Sequence, residues 1–242
     1  FDPVDARYLR IDITTAIQAG VIGSWACQPL DVASDCGFVE GNASQYVWMV
    51  PHDLPGVFSR MGGEANAIAR LDEHFTELNA GTHRAFFYIG NEPEHGTPWT
   101  YNFAAAPWKT QAIVRRILDE EFLTSAGGLP GNDDLGATSA WMVWAYLGMY
   151  PVVPGTDVLV IHGPRFPEAV VQLAHGKTLT IRGGAEGSHF IQGLKVDGSD
   201  STRNYLRFEA IQHGATLDYT MGTSANQAWG SAESDLPPRF VP

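Results

Sequence analysis

Residues 129–141 read LPGNDDLGATSAW, which is a Pro-Gly turn, an acidic triplet and the start of an apolar segment. The Pro-Gly turn ends the preceding element, and the triplet Asn132, Asp133 and Asp134 can cap the helix that follows. Carboxylates at a loop-to-helix junction are accessible from the loop side and are fixed in place by the helix behind them. The triplet is therefore either a plain helix cap or part of a reactive site.

Two earlier stretches also place acidic residues beside predicted helix starts. Residues 38–56 read FVEGNASQYVWMVPHDLPG, in which Glu40 stands just before a short helix-like run that ends at Pro51. Residues 90–103 read GNEPEHGTPWTYNF, in which an Asn, two Glu and a His crowd together between two glycines. Three loops thus carry candidate polar groups for one site.

Apolar residues recur with helical spacing in the first part of the chain. Residues 54–78 predict two helices with a break at Gly62–Gly63, and residues 107–122 predict a helix that begins at a proline. Residues 135–150 are strongly apolar, so we expect a helix that is buried on most sides. Residues 1–38 are mixed and predict no single element.

The composition changes from Val153 onward. Apolar and polar residues alternate in short runs such as DVLVIHG, KTLTIRG and ATLDYTMG, which are separated by Gly, Asp and Ser turns. This pattern predicts an antiparallel sheet that is part of a sandwich. We therefore expect an α+β fold with two domains, residues 1–152 and 153–242.

Composition excludes several classes of partner. The chain of 242 residues carries 15 Lys and Arg against 27 Asp and Glu, which gives a net charge of -12. This charge repels phosphate backbones and anionic lipid surfaces, so we expect no nucleic-acid or membrane partner. HExxH, GxSxG, Walker and GxGxxG sequences are missing, which removes the usual metalloprotease, serine hydrolase and nucleotide-binding interpretations.

Other local signals carry less weight. Cys27 and Cys36 lack the spacing of a zinc site and are either one small disulfide loop or two free thiols. The first residues contain neither an initiator Met nor an apolar leader, so we expect natural sequence to precede them. Asn42 begins an N-glycosylation sequon, which we discount because a glycan would crowd Glu40. The adjacent His52 and Asp53 indicate a turn or helix start rather than a catalytic dyad.

The three acidic loops predict a chemistry. Helices that run up and down around a toroid bring the loops between them to one face, where distant residues meet. Glycoside hydrolysis needs two carboxyl groups, one to protonate the leaving oxygen and one to activate water. Hard oxygen ligands such as those of Asn91 and Glu92 also suit calcium, although no EF-hand pattern is present.

The three stretches quoted above, with PWKTQ at residues 107–111, resemble in order the motifs of the family 92 glycoside hydrolases. These enzymes are exo-acting, calcium-dependent alpha-mannosidases. The resemblance extends from about Gly37 to at least Phe166. Members are much longer than this chain, with an N-terminal β-sandwich, an (α/α)6 toroid and closing strands. The resemblance implies that the chain is a partial (α/α)6 toroid followed by antiparallel β-sandwich strands, and that its partner is the missing N-terminal half of the same enzyme.

The resemblance implies catalytic roles for four residues. The family's general acid falls on Glu40, and its favoured general base falls on Asp134, with Asp133 and Asn132 beside it. The implied mechanism inverts the anomeric centre, which requires the two carboxyl groups to be roughly 6.5–9.5 Å apart.

The resemblance also implies binding roles. The family's calcium ligands, which grip the 2- and 3-hydroxyls of mannose, fall on Asn91 and Glu92. The implied substrate contacts fall on Asn42, Gln45 and His95.

The chain departs from the family pattern at two positions. Ser44 stands where the family usually has Trp, and Gly96 stands where it usually has a second His. These changes bear on linkage preference more than on the reaction itself. The expected function is hydrolysis of terminal alpha-mannosidic bonds, with alpha-1,2 linkages favoured, in mannose-containing glycans by a secreted or periplasmic enzyme. The alternatives are a carbohydrate-binding or structural module that uses the sheet region, and a different glycosidase or a lyase on a helical toroid.

Overall fold

The computed structural model describes residues 37–240, so Cys27 and Cys36 lie outside the described residues. A helical part precedes a sheet part, which confirms the α+β class. The helices of the described residues are α1 (Ala43–Tyr46), α2 (Leu54–Arg60), α3 (Glu64–His74), α4 (Thr100–Phe103), α5 (Pro107–Glu120) and α6 (Ala137–Leu147). Among residues 37–240, no helix has the length and apolar character needed to cross a membrane. The (α/α)6 toroid and the division at residues 152 and 153 stay predictions.

Glycine and proline set the helix boundaries where the sequence predicts them. Helices α2 and α3 are separated by Gly62 and Gly63, whose φ angles of 90° and 110° are rarely adopted by residues with a side chain. Helix α5 begins at Pro107, which needs no hydrogen-bond partner for its nitrogen at a helix start. The predicted break and the predicted start of α5 are both confirmed.

Helix α6 is shorter and more exposed than the sequence predicts. It lies between Gly136 and Gly148, which both adopt left-handed backbone conformations with φ of 92° and 84°. Its buried side chains form a single stripe: Thr138, Trp141 and Ala145. Val143 on another side of the helix is 53% exposed. The expectation of a helix buried on most sides is therefore wrong for the described residues, since no described element covers this apolar side.

The strands form two sheets. They are β1 (Met149–Tyr150), β2 (Val158–Ile161), β3 (Glu168–Gln172), β4 (Thr178–Arg182), β5 (Phe190–Val196), β6 (Ser199–Ser201), β7 (Tyr205–Arg207) and β8 (Ala215–Gly222). One sheet has the order β1-β2-β7, and the other has the order β3-β4-β8-β5-β6. Pairing is antiparallel as predicted except between β4 and β8, which are parallel. A parallel pair needs a long connection, and β5, β6 and β7 supply it.

An aromatic cluster joins the helical part to the first sheet. Trp99 is fully buried, and its ring stacks on Tyr150 of β1 at 4.4 Å between centroids. Its indole N–H donates to Nδ1 of His162, which directly follows β2, at 3.2 Å. His162 in turn donates from Nε2 to the carbonyl oxygen of Ala145 in α6 at 2.9 Å. Since one ring nitrogen accepts and the other donates, His162 is neutral and has one fixed tautomer.

We expect the buried His162 to make the stability of the fold depend on pH. Burial lowers the pKa of His162 to about 3, whereas an unfolded His titrates near 6.5. The unfolded chain therefore binds one proton more than the folded chain between these values, and stability falls as pH drops below about 6.5. Replacing His162→Gln should reduce the slope of unfolding free energy against pH by up to about 1.4 kcal/mol per pH unit in this window.

Urea unfolding between pH 4 and pH 8 measures this slope. The exposed His213 offers the matched control His213→Gln. Equal slopes for the wild type and His162→Gln would contradict a neutral, buried His162.

Candidate active site

Three loops line an open polar cavity of about 420 Å³. It is lined by Glu40, Thr82, Tyr88, Gly90, Asn91, Glu92, Asn132, Asp134 and Leu135. The loops of residues 38–42, 88–94 and 130–136 each contribute to the wall. The structure therefore brings together the three acidic stretches that the sequence singles out.

Glycines allow two of these loops to touch backbone to backbone. A Cβ atom on Gly131 would lie 2.4 Å from the carbonyl oxygen of Gly90, and one on Gly90 would lie 2.9 Å from that of Pro130. The side chain of Asn79 donates to the same Pro130 oxygen at 2.9 Å. Any larger residue at either glycine would separate the loops that carry Glu92 and Asp134.

Glu40 is held in the wall through its backbone. Its carbonyl oxygen accepts a hydrogen bond of 2.7 Å from Nδ2 of Asn91, which connects the first loop to the second. Its φ of 58° lies in the left-handed region, which is uncommon for a residue with a side chain. Its side chain is exposed and lines the cavity.

Asn42 and Gln45 lie behind the cavity wall. Both are buried and form a capping box at the start of α1, with the Asn42 side chain accepting from the backbone N–H groups of Ser44 and Gln45. The Asn42 amide donates to the carbonyl oxygens of Thr82 and Arg84, both at 2.9 Å. These bonds use both donors and the acceptor of the side chain, so a glycan or a substrate contact at Asn42 would require breaking them.

Gln45 is occupied in the same way. Its Nε2 donates to the carbonyl oxygens of Gly81 and Phe86 at 2.9 and 3.0 Å, and its Oε1 accepts from the backbone N–H of Asn42. Neither Gln45 nor Asn42 lines the cavity. In the structure, these two predicted substrate contacts support the loop at residues 81–86.

The second loop divides its polar residues between two sides. Asn91 and Glu92 line the polar cavity. His95 is 4% exposed and lines a neighbouring, mostly apolar cavity of about 160 Å³, which Glu92 also borders. Burial lowers the pKa of His95, and its Nε2 lies 3.2 Å from the carbonyl oxygen of Ile89. The structure thus separates His95 from the cavity that Asn91 and Glu92 line.

The acidic triplet has three different tasks. Asn132 lines the cavity, while its carbonyl oxygen accepts from the Thr138 hydroxyl at 2.9 Å. Asp133 acts as a cap of α6 from outside the helix: Gly136 occupies the N-cap position without a side chain, and Oδ1 of Asp133 accepts from the backbone N–H of Ser139 in the first turn at 2.9 Å. Asp134 is exposed, has a left-handed φ of 48° and lines the cavity. The cap and the site residue, which the sequence could not separate, are therefore neighbours.

Negative charge accumulates around Asp134. Removal of water is the largest cause that raises the pKa of this carboxyl, and the charges of Glu92, Glu40 and Asp133 raise it further. In contrast, hydrogen bonds from Ser139 lower the pKa of Asp133. A raised pKa makes the ionised carboxylate of Asp134 a stronger base than that of Asp133.

The donor set of the cavity suits a hard cation. Its lining residues offer carboxylate and amide oxygens, without a thiol or an imidazole. Because Nδ2 of Asn91 donates to Glu40, its amide oxygen is the atom that can bind a cation. Within residues 37–240, no three His, Cys, Asp or Glu side chains form a metal-binding group by themselves. Asn91 and Glu92 thus fit calcium in donor type and would supply part of its roughly 6–8 oxygen ligands.

Sequence reasoning missed three residues of the wall, Thr82, Tyr88 and Leu135. Tyr88 lies in the apolar run AFFYIG at residues 85–90, in which no residue pattern marks a site. Leu135 has a left-handed φ of 58° and a fully exposed side chain. Its place beside Asp134 was the one signal that could have identified it.

The cavity can perform acid–base chemistry. It presents carboxyl groups from separate loops, Glu40 from the first and Asp134 from the third, around a space large enough for a sugar ring. Two carboxyl groups on different walls can act on opposite sides of one bond.

Comparison with known proteins gives a consistent match. The family model described as "Glycosyl hydrolase family 92 catalytic domain" matches residues 19–223. A protein of Arthroderma benhamiae, called an uncharacterized secreted glycosidase, is 31% identical over 234 residues, which cover 89% of this chain and 29% of that protein.

Solved structures agree with this match. A family 92 alpha-mannosidase of Bacteroides thetaiotaomicron superimposes with a TM-score of 0.81 at 31% identity, covering 88% of this chain and 29% of that one. An inverting mannosidase of the same family and species gives a TM-score of 0.76 at 30% identity, covering 84% of this chain and 30% of that one. The chain therefore spans less than a third of the length of these relatives.

We expect Asp133 and Asp134 to differ in their effect on stability. Asp133→Ala removes the cap of α6 and should lower the unfolding temperature by roughly 2–4 °C, the shift typical of a lost cap in a chain of this size. Asp134→Ala removes an exposed side chain from a repulsive cluster and should not lower it. Thermal unfolding followed by circular dichroism measures both variants, and equal losses would contradict this division.

Proposed function

The chain belongs to glycosyl hydrolase family 92, and on that premise we propose that it carries the acid and base of an enzyme that hydrolyses terminal alpha-mannosidic bonds. Glu40 is the proposed general acid and Asp134 the proposed general base. Asn91 and Glu92 are the proposed calcium ligands of this chain.

One observation carries this proposal. Glu40 and Asp134 are far apart in sequence, yet both line one polar cavity, and the charge of Glu40 contributes to the raised pKa of Asp134. A structural cap would not need this arrangement, because Asp133 already caps α6. The left-handed backbone at both positions is a further sign, since strained conformations concentrate at functional sites.

In the proposed reaction each carboxyl group carries out one proton transfer. Protonated Glu40 donates its proton to the leaving glycosidic oxygen, and ionised Asp134 accepts a proton from the water that attacks the anomeric carbon. Attack from the side opposite the leaving group inverts the anomeric centre. The raised pKa of Asp134 increases the basicity of its ionised form, and the assignment of acid and base to the two positions follows the resemblance of the motifs.

Calcium is proposed as the cofactor because the cavity offers oxygen donors only. When bound, it would supply a fixed positive charge that orients sugar hydroxyls. Asn91 and Glu92 would hold it from this chain, and Asn91 also fixes the backbone of Glu40. The same side chain would thus couple the cation to the acid.

The proposed substrate, linkage and location are based on similarity to the matched proteins. We propose mannose-containing glycans as substrates, alpha-1,2 linkages as the preferred bonds and a secreted or periplasmic location. A matched relative is called a secreted glycosidase, and a matched structure is called an inverting mannosidase. We also propose that this chain acts with the remaining part of a longer enzyme, because it covers 29% of that relative.

We expect Glu40→Gln and Asp134→Asn each to lower kcat by about 10²- to 10⁴-fold for release of mannose from an alpha-1,2-linked mannobiose. Each change removes a proton donor or acceptor while keeping the shape of the side chain. The assay uses the full natural polypeptide that contains this sequence. Near-normal turnover in Asp134→Asn would contradict its assignment as the base.

Asp133→Asn is the matched control for Asp134→Asn. Asn also caps helices, so this variant should keep both the fold and most of the activity. Proton NMR of the first product gives a separate check, since inversion of an alpha linkage releases beta-mannose. Initial release of alpha-mannose would contradict the inverting mechanism.

We expect calcium removal to reduce mannose release, and Glu92→Gln to weaken calcium binding by at least tenfold, in the range of ~10–100-fold typical of changes at metal sites. Calorimetric titration of the chelator-treated protein with calcium measures the affinity independently of activity. Full activity after chelation, with no heat of calcium binding, would contradict the proposed cofactor.

A further inference from the structure

Two carboxylates of the same short helical turn have different surroundings. The turn begins at Glu92 and ends at Glu94. Glu92 is exposed and lines the cavity, whereas Glu94 is only 1% exposed. A carboxyl group this deeply buried needs several donors to offset the loss of water.

Glu94 closes the second loop on itself. Its Oε2 accepts from the backbone N–H of Tyr88 at 2.9 Å, and the side chain of Thr97 also hydrogen-bonds to this carboxyl group. The contact between Glu94 and Tyr88 joins both ends of residues 88–94. The residues that line the cavity, Asn91 and Glu92, lie inside this closed loop.

His74 connects the closed loop to helix α3. Its Nε2 lies 2.6 Å from Oε1 of Glu94, and both side chains are almost fully buried. Its Nδ1 lies 3.3 Å from the carbonyl oxygen of Ala85, and its own carbonyl oxygen accepts from the N–H of Phe87 at 2.9 Å. A carbonyl oxygen cannot donate, so Nδ1 of His74 carries a hydrogen.

The His74 ring has little freedom to move. The rings of Trp48, Phe75 and Phe87 surround it at centroid distances of 6.3, 5.8 and 6.2 Å. The ring is thus fixed by packing as well as by hydrogen bonds. A group attached to it shares this rigidity.

We propose that His74 and Glu94 are positioning residues, which hold loop 88–94 so that Asn91 and Glu92 face the cavity. Neither residue lines the cavity, so both act through the loop. This inference rests on the proposed function, because it concerns the two residues proposed to bind calcium.

The hydrogen-bond pattern distinguishes conservative from disruptive changes at Glu94. In Glu94→Gln the amide oxygen can still accept from Tyr88, and the amide nitrogen can donate to Nε2 of a neutral His74. In Glu94→Ala both partners lose their bond. Glu94→Asp keeps the charge but is one methylene shorter, so it cannot reach His74 and Tyr88 together.

The test measures amide hydrogen exchange and calcium affinity in the natural polypeptide that contains this sequence. Glu94→Ala should increase exchange selectively at residues 88–92 and raise the calcium dissociation constant about tenfold or more, as changes in groups that support metal ligands do. Glu94→Gln should stay within about threefold of the wild type in affinity. Should Glu94→Ala fail to fold, Glu94→Asp replaces it with the same expected local change.

Glu77→Gln is the matched control, because Glu77 forms an exposed ion pair with Arg84 near the same loop. It should change neither measurement. The inference is overturned if exchange at residues 88–92 and calcium affinity in Glu94→Ala, or in its replacement Glu94→Asp, equal those of Glu77→Gln. It is also overturned if exchange rises uniformly along the chain, because that result indicates only lost stability. A wild type that binds no calcium would instead refute the proposed cofactor, and the exchange pattern would still decide whether the pair fixes the loop.

Discussion

The candidate site depends on the hydrogen bonds that the backbone of the irregular segment of residues 79–91 forms. This segment has no regular sheet or helix, yet parts of it are buried, so its carbonyl oxygens need donors from elsewhere. Asn42, Ser44 and Gln45 of the first loop and α1 donate to five of them, at residues 81, 82, 84, 85 and 86. His74 adds a further contact at residue 85. Together with the bond from the Tyr88 N–H to Glu94, these donors fix the wall that carries Thr82 and Tyr88.

In two pairs of neighbouring acidic residues, one side chain supports the fold and the other lines the cavity. Asp133 caps a helix while Asp134 lines the cavity, and Glu94 holds a loop while Glu92 lines the cavity. In each pair one carboxylate is satisfied by donors from the protein, and the other is left for a ligand. The satisfied carboxylate of each pair, Asp133 or Glu94, is occupied by these partners and does not line the cavity.

Local signals predicted the elements of the fold better than their packing. The break at Gly62–Gly63 and the start of α5 at Pro107 were predictable, because these residues restrict or free the backbone wherever they occur. The burial of α6 was not, since its apolar composition does not reveal which side a neighbour covers. The parallel pairing of β4 with β8 was also not predictable, because strand alternation carries no information about the partner.

The sequence by itself determined the α+β class, the family and the three loops that form the candidate site, since these depend on residue types and short spacings. Only the tertiary structure decided which polar side chains line the cavity. The direction of Asn42 and Gln45 follows from acceptors some 40 residues away, and the meeting of Gly90 with Gly131 follows from the packing of two distant loops. Such contacts join residues that no local pattern relates. The chemistry of each residue is therefore local, whereas its task is set by partners that folding brings to it.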